Sequence, residues 1–187
     1  MFRRREKMGL GERAREFIWP RRGWRRAGAY FMHRVQRLPG SPYSIAAGFA
    51  CGAAVSFTPF IGLHFFLGAV LAWLIGANLL ASALGTAVGN PWTFPLIWTL
   101  IYTIGIWMLG FDVSHTLPEG LSMKYIFEEP QAVLLPMFLG SIPTGLVVWV
   151  GLFWPLRSIV AKYQKARRLR REKRRAKIAM AAEEERS

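Results

Sequence analysis

A long central stretch of the chain contains no acidic residue, lysine or arginine. Between Leu38 and Phe111 there is no Asp, Glu, Lys or Arg, whereas one bilayer crossing needs only about 20 consecutive apolar residues. The length of this uncharged stretch therefore predicts a membrane domain.

Cysteine is also scarce, and a signal peptide is not evident. The single cysteine, Cys51, lies inside the uncharged stretch, so an intrachain disulfide is excluded. The first apolar stretch begins only after about forty largely basic residues, whereas a secretory signal peptide places its apolar region near the start. We therefore expect the apolar segments to remain in the mature protein.

Catalytic and metal-binding motifs are lacking as well. The uncharged stretch is not accompanied by a nucleophile elbow, a phosphate-binding loop or a pair of carboxylates. The histidines, His33, His64 and His115, fall on different predicted sides of the membrane, so they form no metal-ligand set. We therefore expect no enzyme activity, no metal ion and no cofactor.

Basic residues are abundant, but they are confined to the two ends. Nearly all of the 25 Lys and Arg lie before Ser41 or after Pro155, and they give the chain its formal net charge of +14. Basic residues that flank membrane segments stay in the cytoplasm, so we place both termini there. The predicted regions are a basic N-terminal tail (1–40), a membrane domain (41–156) containing an acidic external loop (112–130), and a basic cytoplasmic helix with an acidic tail (157–187).

The two tails are predicted to contact lipid. From Trp24 onward the apolar residues of the N-terminal tail recur every three or four positions, which fits an amphipathic helix in the headgroup region; a solvated helix packed on the protein is the alternative. Anionic lipid attracts basic residues near the surface at roughly 1 kcal/mol each, so we expect lipid rather than RNA or DNA as the partner of the tails. The residues expected to contact anionic headgroups are Arg21, Arg22, Arg25, Arg26, Arg34, Arg37, Arg157, Lys162 and Lys165.

Proline and glycine divide the uncharged stretch into short pieces. Ser41 and Pro42 predict a helix start, as N-cap and first helical residue. Most of the predicted pieces fall short of the hydrocarbon core, which is about 30 Å thick. The pieces are 42–57, 63–77, 79–88 and 96–111, and only the last, counted from Trp92, is long enough to cross.

Two arrangements of these pieces are compatible with cytoplasmic termini and an external loop. Residues 41–111 form either three short or tilted spans, or a re-entrant hairpin with its tip at 58–62 followed by one true crossing. We favour the hairpin because the pieces are short and no charge marks an external loop near Pro59. The last apolar run, 131–156, predicts a span with a kink or an unwound turn at 140–145 that continues as a helix into water. The predicted fold class is an all-α polytopic membrane protein.

Glycines recur at a spacing of four in two places. The stretches 48–52 and 85–89 both read Gly-x-x-x-Gly with a proline shortly after, which suggests two related halves that face each other. Close packing of membrane helices is the alternative explanation, because small residues at this spacing are common wherever such helices meet.

Polar side chains cluster at the breaks between the pieces. Broken helices are tolerated in hydrocarbon only where the freed backbone groups face protein or a water-filled cavity, and half-helix ends then make sites for ions or anionic groups. His64 could carry a proton, bind a ligand, or simply hydrogen-bond to a carbonyl, and Asn78 and Asn90 could be helix caps instead of ligands. The predicted polar membrane site consists of Thr58, Pro59, Gly62, His64, Asn78, Asn90, Pro91, Thr93 and Pro95.

Three stretches of the chain resemble one bacterial family. They are Ser41-Pro42 leading into 47–52, then 57–64, and finally Asn78 with Gly85 and the Asn-Pro-Trp-Thr-Phe-Pro run at 90–95. This pattern resembles the inner-membrane family known as the domain of unknown function two-zero-six-two. Members of that family often carry a polar residue such as Gln where His64 stands, which argues against a proton-carrying role for His64. The resemblance implies a bacterial inner membrane and supplies no reaction.

Two functions are compatible with this sequence. We expect binding or passage of a small polar solute, an ion or a lipid headgroup at the breaks, through backbone groups with Thr58, Asn90 and Thr93 adding side-chain contacts. The alternative is a membrane scaffold for envelope assembly that holds a partner protein or a second copy of the chain through its helices and basic tails.

Overall fold

The chain divides into two units, Met1–Arg37 and Leu38–Ser187. The computed structural model describes residues 32–60, 62–110 and 130–184. Within the first unit, residues 32–36 are helical, and the Arg37 amide donates to the Arg34 carbonyl oxygen at 3.2 Å. The rest of the predicted interfacial helix, and nearly all of the predicted acidic loop, lie outside the described residues.

Every described element of the second unit is helical. In chain order the elements are α1 (Pro42–Val55), α2 (His64–Leu74), α3 (Leu79–Gly85) with a 3-10 turn (Thr86–Val88), α4 (Phe94–Met108) and α5 (Pro130–Glu184). No strand occurs in the three described ranges. The prediction of an all-α fold is therefore confirmed for this part of the chain.

Local sequence signals explain where two of the helices begin. The Ser41 side chain accepts a hydrogen bond from the Ser44 amide at 3.0 Å, with Pro42 as the first residue of α1. The Asn78 side-chain oxygen accepts from the Ala81 amide at 2.9 Å and caps α3. Each cap satisfies an amide that has no partner within its helix. The predicted start at Ser41 is confirmed, and Asn78 is a helix cap.

Helices α1 and α2 form an antiparallel pair. The Tyr43 hydroxyl, near the start of α1, donates to the Ile75 carbonyl oxygen at the end of α2 (3.4 Å), and the Asn78 amide donates to the Ser44 carbonyl oxygen at 2.9 Å. The chain thus returns at α3 to the end where α1 began. With 14 and 11 residues, α1 and α2 are only about 21 and 16 Å long.

Helix α3 runs beside α1 in the same direction at very close approach. A Cβ added at Gly52 would overlap the Ser82 carbonyl oxygen, and one added at Gly85 would overlap the Phe49 carbonyl oxygen. The two Gly-x-x-x-Gly stretches therefore do face each other. Only glycine permits this backbone-to-backbone contact, which is the usual use of small residues where helices pack tightly.

Helix α5 packs against α1 with one part of its length and against α4 with another. Next to α1, the rings of Phe153 and Tyr43 lie 5.8 Å apart, and the Trp149 indole donates to Cys51 Sγ at 3.3 Å. Next to α4, a Cβ at Gly140 would overlap the Ile101 carbonyl oxygen. The contact between α4 and α5 encloses a core of Ile97, Ile101, Tyr102, Ile106, Val133 and Met137.

Helix α5 is continuous over its 55 residues, with Pro136, Pro143 and Pro155 inside it. The unwound turn predicted at 140–145 does not form, because α5 is helical through Pro143. The predicted extension into the basic segment is confirmed as far as Glu184. Among the described helices, one, over Gln131–Met180, is long and apolar enough to cross a membrane, and the other apolar helices are shorter.

Candidate functional site

The breaks after α1 and after the 3-10 turn lie side by side. Because α1 and α3 run in the same direction, their ends meet: the Ser56 hydroxyl donates to the carbonyl oxygens of Thr86 (3.2 Å) and Gly52 (3.1 Å). A Cβ added at Gly89 would lie 2.8 Å from Ser56 Cβ. We call this meeting point, formed by residues 56–64 and 89–94 without residue 61, the junction.

His64 connects the two sides of the junction. It is the first residue of α2 and is 7% exposed. Its ring stacks on Phe94 at 5.6 Å between centroids and 23° between planes, while Nε2 lies 3.4 Å from the Thr58 carbonyl oxygen. Because a carbonyl oxygen only accepts, this contact is a hydrogen bond in the tautomer that carries the proton on Nε2, and Nδ1 of that tautomer is an acceptor.

Asn90 and Thr93 form a reciprocal capping box before α4. The Asn90 side-chain oxygen accepts from the amides of Trp92 (3.0 Å) and Thr93 (3.1 Å), and the Thr93 hydroxyl oxygen accepts from the Asn90 amide (2.9 Å). Pro91 sits where the missing amide costs nothing. The Asn-Pro-x-Thr run is thus a helix-start signal, and both polar side chains are engaged by backbone.

The other predicted site residues are divided between the junction and the opposite end of α1. At the junction, the Thr58 hydroxyl donates to the Val55 carbonyl oxygen at 2.8 Å. Asn78 lies away from it: its side-chain amide donates to the Pro39 carbonyl oxygen at 2.7 Å, and its backbone contacts Gly48, about 12 Å along α1 from Ser56. The remaining predicted residues, Pro59, Gly62, Pro91 and Pro95, lie in or next to the junction, and Gly62 has a φ of 86°.

Phe94, which belongs to the junction, and Trp98, one helical turn further along α4, escaped the sequence-based prediction. Phe94 contacts both His64 and Trp98, and its ring lies 5.8 Å from that of Trp98. Within the described part of the chain, Trp98 Nε1 and Ser82 Oγ are buried without a hydrogen-bond partner. The spacing of four between Phe94 and Trp98 places them on one face of α4, and this is the signal that could have found them.

A groove with mostly apolar walls lies beside the junction at Phe60. It has a volume of about 390 Å³ and is lined by Phe60, Gln131, Leu134, Leu135 and Phe138. The rings of Phe60 and Phe138 meet edge to face at 6.0 Å. Gln131 is its one polar lining residue, so the groove suits an apolar occupant.

Small residues predominate in the core around α1, α2 and α3, while many large apolar residues lie outside. Ala46, Ala50, Ala72 and Ala81 are fully buried. The most exposed large apolar side chains are Phe65, Phe66, Trp73, Leu74, Leu96, Trp107, Leu146 and Val147. Large apolar side chains exposed in this number indicate an interaction with a membrane or a partner.

Charged and metal-binding groups are sparse around the junction. Among the described residues, no three His, Cys, Asp or Glu side chains could together hold a metal ion.

Of the predicted lipid contacts, Arg157 lies over the rings of Phe153 (5.9 Å) and Trp154 (5.8 Å), and Arg34, Arg37, Lys162 and Lys165 are exposed. The others, Arg21, Arg22, Arg25 and Arg26, lie outside the described residues.

Comparison with known proteins identifies a family without assigning an activity. No protein with a curated description and no solved structure matches the chain. The family described as an uncharacterized protein conserved in bacteria (DUF2062) matches residues 25–169. The match covers most of the chain and includes all five helices, α5 up to residue 169, so the protein belongs to this family.

Proposed function

We propose that this protein is an integral protein of the bacterial inner membrane with both termini in the cytoplasm. The burial of small residues and the exposure of large apolar residues support this membrane placement, because helices in lipid associate through small residues and turn large apolar residues outward. The apolar run of α5, residues 131–156, spans about 39 Å and exceeds the hydrocarbon thickness. Trp154 and Arg157 suit its cytoplasmic boundary, where aromatic and basic residues are enriched.

The short lengths of α1 and α2, about 21 and 16 Å, support a re-entrant hairpin rather than three spans, because each helix is shorter than the hydrocarbon core of about 30 Å. Tyr43 contacts Phe153 near the proposed cytoplasmic boundary, and α2 returns to the same end. In this arrangement α3 and α4 together make the single crossing, because α4 packs on the other part of α5. The junction, where Phe60 meets Phe138, then lies near the middle of the bilayer.

The function that the geometry favours is binding, with or without passage, of a small polar solute, an ion or a lipid headgroup at the junction. The observation that carries it is a pair of unused groups beside Phe94: the Nδ1 acceptor of His64 and the unpartnered indole N–H of Trp98. A donor group of a ligand could pair with Nδ1, and an acceptor group could pair with the indole N–H. Among these ligands, the adjoining apolar groove favours a lipid, whose acyl chain it could take.

A scaffold role in envelope assembly is the second candidate, and one observation favours it. The side chains of Asn78, Asn90 and Thr93 all bond to backbone groups, so they serve helix starts. In that case the breaks only shape the fold, and the exposed apolar faces would hold a partner protein or a second copy of the chain.

Cysteine accessibility distinguishes the two candidates. In a Cys51→Ala background, single cysteines at Thr58, His64 and Asn90 are reacted with a small water-soluble thiol reagent in intact membranes. Binding from water predicts labelling at these positions, with Ala47, which is fully buried, as the unlabelled control. If the cysteines at all three positions react only after the protein is denatured, the breaks serve helix packing alone. That result would favour the scaffold role.

A further inference from the structure

The second half of α5 extends away from the rest of the unit. The Gln164 side-chain amide donates to the Gly40 carbonyl oxygen at 3.0 Å, and every residue from 165 to 180 is exposed. The chain remains helical throughout this part. It is therefore a projecting helix with no core of its own.

Positive charge is concentrated on this projecting helix at residues 167–177, which we call the distal basic segment. Its only acidic residue, Glu172, accepts from Arg168 Nε at 2.9 Å across one turn. Arginine, which can contact a phosphate group through two N–H groups at once, predominates. The basic residues are Arg167, Arg168, Arg170, Arg171, Lys173, Arg174, Arg175 and Lys177.

The continuous helix holds this segment away from the membrane. Relative to Arg157, which marks the boundary in the proposed membrane placement, residues 167–177 lie about 15 to 30 Å further along the axis. Even a helix tilt of about 40° leaves them roughly 11 to 23 Å beyond that boundary. Headgroups extend about 5 to 7 Å beyond the hydrocarbon boundary, and charges are largely screened beyond about 8 Å at physiological ionic strength. Headgroups therefore attract the proximal residues, such as Lys162, but act little on the segment from Arg170 onward.

The distribution of charge around the helix helps to distinguish between a membrane, a protein and a nucleic acid as the partner of the distal basic segment. Successive residues are about 100° apart around a helix, so the basic side chains cover about 220° of its circumference. The remaining face carries Leu169 and Ala176 and is interrupted by the charge of Glu172. A helix lying on a membrane needs an apolar face, and protein interfaces centre on large apolar or aromatic anchors. Leu169 is the one large apolar residue here. Phosphates of a nucleic-acid groove need no such anchor and can approach from two sides.

We propose that the distal basic segment binds nucleic acid through its phosphate groups on the cytoplasmic side of the membrane. RNA and DNA present the same phosphate chemistry, and the contact is independent of base sequence. The sequence-based expectation of lipid thereby applies to the proximal residues Arg157, Lys162 and Lys165.

The test uses the full-length protein in nanodiscs of neutral phosphatidylcholine, which offer no anionic competitor. Binding of labelled single-stranded RNA, double-stranded RNA and double-stranded DNA is measured by fluorescence anisotropy. For six to ten phosphate contacts, affinity falls by roughly a thousandfold or more between 50 and 200 mM salt. We expect that loss for at least one of the three nucleic acids, and comparing them identifies the source of the phosphates.

Two matched triple variants locate the binding residues. The distal variant R170Q/R171Q/R174Q should lower the slope of log affinity against log salt by about 3 for DNA, because each lost phosphate contact removes about 0.9. The proximal variant R157Q/K162Q/K165Q should leave that slope unchanged. Glutamine favours helix nearly as well as arginine, and circular dichroism verifies that both variants fold.

Four results would overturn the proposal. The first is that none of the three nucleic acids binds, and the second is that the two triple variants have equal effects. The third is tighter binding of polyglutamate than of any nucleic acid at the same salt, which would indicate an acidic protein as the partner. The fourth concerns lipid. A distal variant that loses affinity only for phosphatidylglycerol vesicles would assign the segment to lipid. Extraction of the protein from membranes at high pH is measured separately, so failure of the membrane placement is distinguished from failure of nucleic-acid binding.

Discussion

Gly52 packs directly on the backbone of Ser82, so that any Cβ at residue 52 would overlap the Ser82 carbonyl oxygen. Gly52→Ala should therefore force α1 and α3 apart and lower the free energy of unfolding by about 1 to 3 kcal/mol or more, as overpacking does. Thermal unfolding in detergent, followed by tryptophan fluorescence, measures the loss.

Gly151→Ala is the matched control for that substitution. Gly151 lies inside α5, and an added Cβ meets nothing within 4 Å. Removing a helix-interior glycine should stabilise the protein by up to about 1 kcal/mol. Equal melting temperatures for the two variants would contradict the close packing of α1 on α3.

The capping box before α4 predicts coupled losses of stability. Asn90→Ala removes the acceptor for two amides and should cost about 1 kcal/mol. Thr93→Ala should cost a similar amount, and the double variant should lose less than the sum, because each single change already breaks the shared network. Thr93→Ser keeps the hydroxyl and serves as the control. Strict additivity in chemical unfolding would show that the two side chains act separately.

The unused groups at the junction predict selective loss of ligand stabilisation. A panel of polar solutes and of phospholipids with different headgroups is screened for an increase in the melting temperature. We expect at least one compound to stabilise the native protein but neither of two variants. His64→Phe keeps a ring against Phe94, and Trp98→Phe keeps an aromatic ring but removes the indole N–H and part of the ring system. The variant Trp149→Phe removes an indole donor elsewhere and should retain the effect. A shift that persists in both junction variants would remove His64 and Trp98 from the site.

The outward face of α5 predicts sensitivity to charge within the apolar run. Val147 is 70% exposed and lies near the middle of residues 131–156. Val147→Arg should reduce membrane insertion, because arginine at a helix centre costs about 2.5 to 3.5 kcal/mol, whereas Val147→Leu and Ser158→Arg should not. The membrane-integrated fraction after alkaline extraction is the measurement. Normal insertion of the arginine variant would argue that this face contacts water or protein.

Helix starts could be predicted because their causes are local. Ser41, Pro42 and Asn78 act on amides within three residues of themselves, so the signal is contained in a short window. The 79–88 piece was predicted as one unit but tightens into a 3-10 turn at Thr86. There the Thr86 hydroxyl donates to the Ala83 carbonyl oxygen and the Thr86 carbonyl oxygen accepts from Ser56, which is distant in sequence.

The structural roles of individual glycines and polar residues could not be predicted, because they depend on contacts between distant parts of the chain. The stretch 140–145 predicted a kink or an unwound turn, but α5 remains helical there and the missing side chain of Gly140 admits the backbone of Ile101. The stacking of His64 on Phe94 joins residues 30 positions apart, and no periodicity within either helix predicts it. Sequence therefore located the breaks, whereas the pairing of those breaks depends on the register between α1 and α3.

The unbroken path of α5 makes it a lever. One part of its apolar half packs against α1 and another part packs against α4. Its basic end is exposed from residue 165 to residue 180. A change of about 10° in the tilt of this apolar half would move Lys177, which lies about 30 Å beyond Arg157, by roughly 5 Å. A small rearrangement among the short helices would thus produce a larger displacement at the basic end of α5, because the helix is continuous between the two.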